Sequence, residues 1–244
     1  MKKLPTKLEK QTVLDSISEI IFKEARDIEV LFSDIYILLK NDGWEFEKLP
    51  VMDIPENIRK GNSSFDKTPH YVFTSNGKRV FIGPRVMAFS YDASKSYNGW
   101  SNYRKELSAF YDLLTKSNDE TNIDQVSLNF IDFFKNHNIY DHITLSVDDN
   151  ALESIYPGAD KGKTYITELD VDDLNIRIKI ENDMSLSIKG SDSEIEGSMI
   201  DIEVSKIIKE EDILDVYDEM HKHSKNIFFT LLSDTFIKTL NPTY

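Results

Sequence analysis

Apolar and polar residues along this chain follow two rhythms, one of period two and one near 3.6, and the elements can be read from where each begins and ends. Ile17-Ser18-Glu19-Ile20-Ile21-Phe22 is short and rich in β-branched residues, which predicts a strand. Asp27 stands ready to cap a helix whose Ile28, Leu31, Phe32, Ile35, Leu38 and Leu39 form one stripe at the helical period. Gly43 follows its last turn, where a left-handed residue is wanted. The stretch from Leu49 to Pro69, with its prolines, Gly61 and paired serines, reads as a long loop. Tyr71–Thr74 and Arg79–Ile82 flank Asn76-Gly77, the dipeptide suited to a type I′ hairpin turn. Val86–Phe89 supplies a third strand beyond Gly83-Pro84. A second helix is predicted from Trp100 to Leu114, with Trp100, Tyr103, Leu107, Phe110 and Leu114 on one face. Val126, Leu128 and Phe130 alternate as a strand, and Ile143, Leu145 and Val147 as another.

From Tyr165 onward the period-two rhythm dominates. Leu174, Ile176, Ile178 and Ile180 point one way, then Met184, Leu186 and Ile188, then Ile200, Ile202 and Val204, each alternating with polar residues. That pattern predicts an antiparallel meander with one wet face. The last segment returns to the helical period through Ile213, Tyr217, Met220, Ser224, Ile227, Leu231 and Phe236, with Ser233-Asp234 placed to cap a separate final turn. The predicted class is α+β: antiparallel sheets, βαββαβ followed by a β-meander, covered by helices and ending in a long C-terminal helix. An N-terminal half, 1–140, and a C-terminal half, 141–244, read together as one compact unit.

Composition narrows the function. The 244 residues include 43 Asp and Glu against 29 Lys and Arg, a formal net charge of −14. Such a field disfavours nucleic acid, whose nonspecific binding depends on lysines and arginines, and anionic membrane surfaces for the same reason. A basic protein partner is compatible with it. The absence of cysteine excludes disulfides, thiolate chemistry and cysteine-built zinc sites. No run is long and apolar enough to span a bilayer, so the expected setting is the cytoplasm.

Candidate chemistry is sparse. Gly162-Lys163-Thr164 has the tail of a phosphate-binding loop, but Pro157 stands where the first glycine belongs and a strand pattern follows instead of a helix. The acidic clusters at Asp148-Asp149, Asp170 to Asp173 and Asp192-Ser193-Glu194 lack the spacing of a calcium loop and read as solvated turns. His221 and His223 diverge by about 200° on a helix and cannot share a metal, so His221 reads as a hydrogen-bonded structural histidine. Tyr97, Trp100 and Tyr103 form the one dense aromatic patch. Stacking on a planar ligand is one reading; anchoring the start of the helix onto the sheet is the other.

Three stretches carry a family likeness. They are Gly83–Tyr91 followed by Tyr97-Asn98-Gly99-Trp100-Ser101-Asn102-Tyr103, then Val126–Asp132, and His221 with Phe228-Phe229 downstream. In this the sequence resembles the "sporadically distributed" family of bacterial and archaeal proteins of about this length. Asn129 stands where that family has arginine and Asp132 where it has asparagine. The resemblance implies no activity; the family's patchy distribution implies carriage on mobile elements or beside defence genes.

The expected function is that of a non-catalytic interaction or regulatory protein of a bacterial system, in the setting of phage defence. The alternative is a receptor for a small ligand or nucleotide signal, with Trp100, Tyr97, Tyr103 and His221 as its binding residues. No catalytic residue, metal or cofactor is expected. A hydrolase would need dispersed carboxylates to converge on a metal.

Overall fold

Among the described residues the period-two segments pair into an antiparallel sheet of nine strands, with the long helices packed across one face. The computed structural model describes residues 3–92, 97–117, 123–145, 162–187, 194–209 and 211–244. A two-residue strand β1 (Lys7–Leu8) precedes β2 (Val13–Phe22), helix α1 (Ile28–Leu39) and strand β3 (Glu45–Lys48). A short helix α2 (Glu56–Lys60) leads to β4 (Tyr71–Ser75), β5 (Lys78–Gly83) and β6 (Val86–Asp92). Helix α3 (Trp100–Ser117) carries the chain past β2 into β7 (Ile123–Lys135). The meander is β8 (Thr164–Val171), β9 (Leu174–Ser187) and β10 (Glu194–Ile207). Helices α4 (Ile213–Leu231) and α5 (Asp234–Thr239) and strand β11 (Pro242–Thr243) follow. The order across the sheet is β3-β4-β5-β6-β2-β7-β10-β9-β8, so strands of both chain halves share one ladder through β7 and β10. The architecture is α+β.

Local chemistry places the turns. The Asp27 carboxylate accepts from the Glu29 and Val30 N–H groups at the start of α1. Asn76 and Gly77 take φ of 50° and 74°, the positive pair that a type I′ turn between β4 and β5 requires. Alternation then sorts the sheet. Ile20, Met87, Phe89, Leu128, Ile178 and Ile202 are buried on the helix side, while Glu19, Asn129, Arg177 and Glu203 alternate onto the opposite face. Helix α4 packs on β7 and β10, α1 packs on β5, and α3 contacts both helices. Two buried tyrosines tie the helices to β2. Tyr217 Oη donates to the Glu19 carbonyl at 3.0 Å, and Tyr103 Oη lies 2.8 Å from Ser18 Oγ. Each hydroxyl finds a partner, which is what allows so polar an atom into the core.

Three expectations are corrected. Ile143 makes only a bridge to Leu232, and no strand forms at Leu145, because the backbone of this stretch is taken up by the end of the last long helix, Thr144 N–H donating to the Leu231 carbonyl and Ser233 N–H to that of His142; Val147 lies outside the described residues. The predicted loop from Leu49 to Pro69 contains α2 and short 3-10 turns. The last helix buries Val216, Phe228 and Phe229 rather than Ile227 and Leu231, which stay half-exposed. Its C-terminal half stays on β7, where Phe134 stacks on Phe228, and Phe229 packs edge-on against Phe228, which shifts the buried stripe. Phe236 belongs to α5, which Ser233 caps as the pattern predicted. Ile188 lies outside the described residues.

Candidate functional site

Strand β7 presents Val126, Leu128, Phe130, Asp132 and Phe134 in turn to the helix-covered face. A carboxylate thus occupies one position in a row of hydrophobes. Asp132 is 4% exposed, and its hydrogen bond comes from Thr12 Oγ1 at 2.5 Å. Thr12 ends a strap that runs from Pro5 into β2. The strap is held because β1 pairs with β11 and because Thr6, Glu9 and Lys10 donate backbone N–H groups to Thr243, Asn241 and Leu240.

Beneath this strap lies a cleft of about 470 Å³. Its floor is Phe130, Asp132 and Ile202 from the sheet. One wall is the stretch from Tyr97 to Ser101 at the start of α3, and the other is the face of α4 carrying His221, Ser224, Lys225 and Phe228. That volume lies within the range of small-molecule sites, and the mixture of apolar walls with a few convergent polar groups is their usual character.

The structure brings together three of the four residues singled out in the sequence. Trp100 and His221 stack with ring centroids 4.1 Å apart and planes 4° from parallel. Tyr97 sets its ring across Phe130, 5.7 Å away at 80°. Tyr103 is 1% exposed and lies under these rings, in contact with Tyr97, Trp100 and Phe130, supporting the cleft without lining it. Tyr103, bonded to Ser18 and the Ser16 carbonyl, and Tyr97, packed on Phe130, anchor the start of α3 onto the sheet as one reading had it, whereas Trp100 turns to α4. Its Nε1 donates to Asp218 on α4 at 2.7 Å, and Arg104 Nε donates to the other oxygen of that carboxylate at 2.7 Å, so the pair clamps α3 to α4. His221 is likewise held by stacking, and no hydrogen bond reaches its ring nitrogens among the described residues. The hydrogen-bonded structural histidine expected from the sequence is therefore corrected.

Burial sets the charges here. It pushes the Asp132 carboxyl up to about 7, against the Thr12 hydroxyl, which pulls it down. It lowers the His221 imidazole to about 4, aided by Lys225 and opposed by Asp218. Burial, then the neighbouring Asp132, raises the Tyr97 phenol, which stays a donor. The cleft near neutral pH thus holds an uncharged imidazole able both to donate and to accept, beside a carboxyl poised to change its charge.

Elsewhere the candidate chemistry is absorbed by structure. Thr164 begins β8, so no helix follows Gly162-Lys163, and the Lys163 N–H donates to Asn182 Oδ1 at 2.5 Å. Pro157 and Gly158 lie outside the described residues. Asp172 takes the turn between β8 and β9 with φ of 55°, and Asp173 pairs with Lys206 at 2.9 Å. Asp148, Asp149, Asp192 and Ser193 lie outside the described residues. Among the described residues, no group of three or more acidic or histidine side chains could hold a metal ion, and no helix is long and apolar enough to cross a membrane.

Asp132 was noted in the sequence only as a departure from the family resemblance, not as a site residue, and Thr12 and the strap were not singled out. The signal for Asp132 was present, an acidic residue at an inward position of an apolar alternation. Thr12 had none, because its role depends on a partner 120 positions away. No known protein family's sequence model matches the chain, and no curated protein sequence does. What the site does is read from its geometry.

Proposed function

We propose that this protein is a cytoplasmic receptor for a small molecule, bound in the cleft between the strap, the start of α3 and α4. The observation that carries the reading is the convergence of a buried carboxyl and a neutral imidazole, without a hydrogen bond among the described residues, on an aromatic cleft of ligand size. Polar groups held in apolar surroundings lower stability unless they are partnered, and a ligand would supply the partner. A charge of −14 makes nucleic acid a poor occupant.

The test is a thermal-unfolding screen against a metabolite library, run in parallel on the wild type and on Ser224→Phe, which fills the cleft from α4. A ligand at a hundred times its Kd adds about 2.7 kcal/mol, which in a chain of this size is a rise of roughly 5–10 °C. The rise should vanish in Ser224→Phe, provided that variant still melts cooperatively. A library in which no compound distinguishes the two proteins would end this reading.

A second reading, as an interaction subunit in the defence setting that the family resemblance implies, is favoured by the sheet edge. There Val30 and Ile37 of α1 are 58% and 57% exposed, and Phe46 of β3 is exposed beside Tyr36. Glu45 and Glu47 flank Phe46 on the same exposed edge strand, which suits a basic, partly apolar segment. Proteins cross-linked in cells to the wild type should be lost from a Val30→Asp/Ile37→Asp variant. A partner set unchanged by those substitutions removes the reading.

A further inference from the structure

We infer that the ligand of this cleft is a small organic cation, an amine whose protonated nitrogen pairs with Asp132 while its apolar body lies among Trp100, Tyr97, Phe130 and Phe228. The inference rests on the cleft being a binding site and goes on to name what it selects.

Three observations carry it. The first is the state of Asp132. A carboxylate can accept several hydrogen bonds, yet among the described residues this one receives a single bond, from Thr12, at a depth that leaves it 4% exposed. A buried carboxylate with one neutral donor is under-partnered, and the group that best completes it is a charged nitrogen carrying several N–H bonds. The second is the character of the walls. Aromatic faces and edges around an acidic floor make the combination that attracts ammonium groups, by the ring quadrupole together with the carboxylate charge.

The third is the set of charged and titratable groups that line the cleft together with Asp132. The strap brings Thr12 and Lys7, the loop before α3 brings Tyr97, and α4 brings His221 and Lys225. Tyr97 and His221 are uncharged near neutral pH, so neither neutralises the carboxylate. Lys7 and Lys225 form no ion pair with it or with any other carboxylate among the described residues. They oppose positive charge anywhere in the cleft except where Asp132 directly offsets it, which narrows the class to monocations held at that carboxylate, and they tolerate an anionic group at the ligand's outer end.

Pairing changes the proton count in a defined direction. In the protein alone burial holds the Asp132 carboxyl near 7, so below that pH it is protonated. An ammonium ion binds the ionised form. Binding to the protonated protein therefore releases one proton from Asp132 to solvent, while the amine keeps its own.

The experiment adds matched probes to the thermal screen and follows them by titration calorimetry. Tryptamine and phenethylamine are compared with their neutral counterparts, tryptophol and phenethyl alcohol, and with indole-3-acetate. The amines should bind the wild type at least about tenfold more tightly than the alcohols, the value of a hydrogen bond to a charged group. That preference should disappear in Asp132→Asn, which keeps the shape and the Thr12 bond. In the wild type at pH 6, heats measured in buffers of different ionisation enthalpy should report release of about one proton, with affinity falling about tenfold for each pH unit below 7. Alcohols or the acid binding in the cleft as well as the amines, or an amine preference that survives Asp132→Asn, would overturn the cation while leaving the cleft as a binding site. A screen in which no compound, amines included, binds in a manner lost in Ser224→Phe would remove both.

Discussion

Asp132→Asn is expected to stabilise the protein at pH 8 by about 3–4 kcal/mol, a rise in Tm on the order of 10 °C. The carboxyl sits near 7 in the folded chain, and its ordinary value is 3.8. From about pH 4 to pH 7 the folded state therefore binds more protons at this residue than the unfolded state. Stability falls across that window as pH rises, and the full penalty stands above 7. Asparagine carries no such penalty and still accepts from Thr12. The gain should be largest at pH 8, smaller at pH 6 and close to nothing near pH 4, measured by urea unfolding at each pH.

His221 works in the opposite sense. Its value is depressed to about 4, so the unfolded chain takes up a proton first as pH falls through 6.5, and stability drops between 6.5 and 4. The two slopes oppose each other in the wild type, and Asp132→Asn should unmask the acid-side loss. A gain that is the same at pH 4 and pH 8 would show that Asp132 is not held protonated by burial. A residue that costs this much at neutral pH, in a cleft, is more readily understood as part of a site than as part of a scaffold.

Met220→Ala is expected to cost about 2–5 kcal/mol, lowering Tm by roughly 5–15 °C. Met220 is fully buried on α4, the helix that covers β7 and β10 and forms one wall of the cleft. Deleting its side chain opens a void between helix and sheet that the close-packed surroundings can fill only in part. Leu231→Ala should cost clearly less, about 1 kcal/mol, because Leu231 remains half-exposed. Equal losses for the two would mean that α4 packs by the Ile227 and Leu231 side. Removing residues 211–244 altogether should yield insoluble or molten protein, since Ile176, Ile178 and Ile202 would lose their cover. A truncated chain that stays soluble and melts near the full-length temperature would make α4 a detachable docking element.

The contrast between Met220 and Leu231 marks the limit of the sequence. Period-two and period-3.6 patterns express which side of an element is apolar, and one side is all that local geometry needs. So the strands of the meander, the hairpin at Asn76-Gly77, the caps at Asp27 and Ser233 and the α+β class were legible from spacing alone. Aromatic density around Trp100 likewise pointed to the region of the cleft. Periodicity does not say what an element packs against. The ring packing of Phe228 with Phe134 and Phe229 shifted the stripe of α4, and Ile143 formed a bridge to Leu232 in place of a strand. The site required more still. Thr12 and Asp132, Trp100 and His221, and Arg104 and Asp218 meet across 114 to 121 positions of chain, and only the folded sheet and its helices fix those distances. Composition and order determined what the chain would bury; the tertiary structure decided which carboxylate was buried with it, because burial is a property of the assembled layers and not of any one of them.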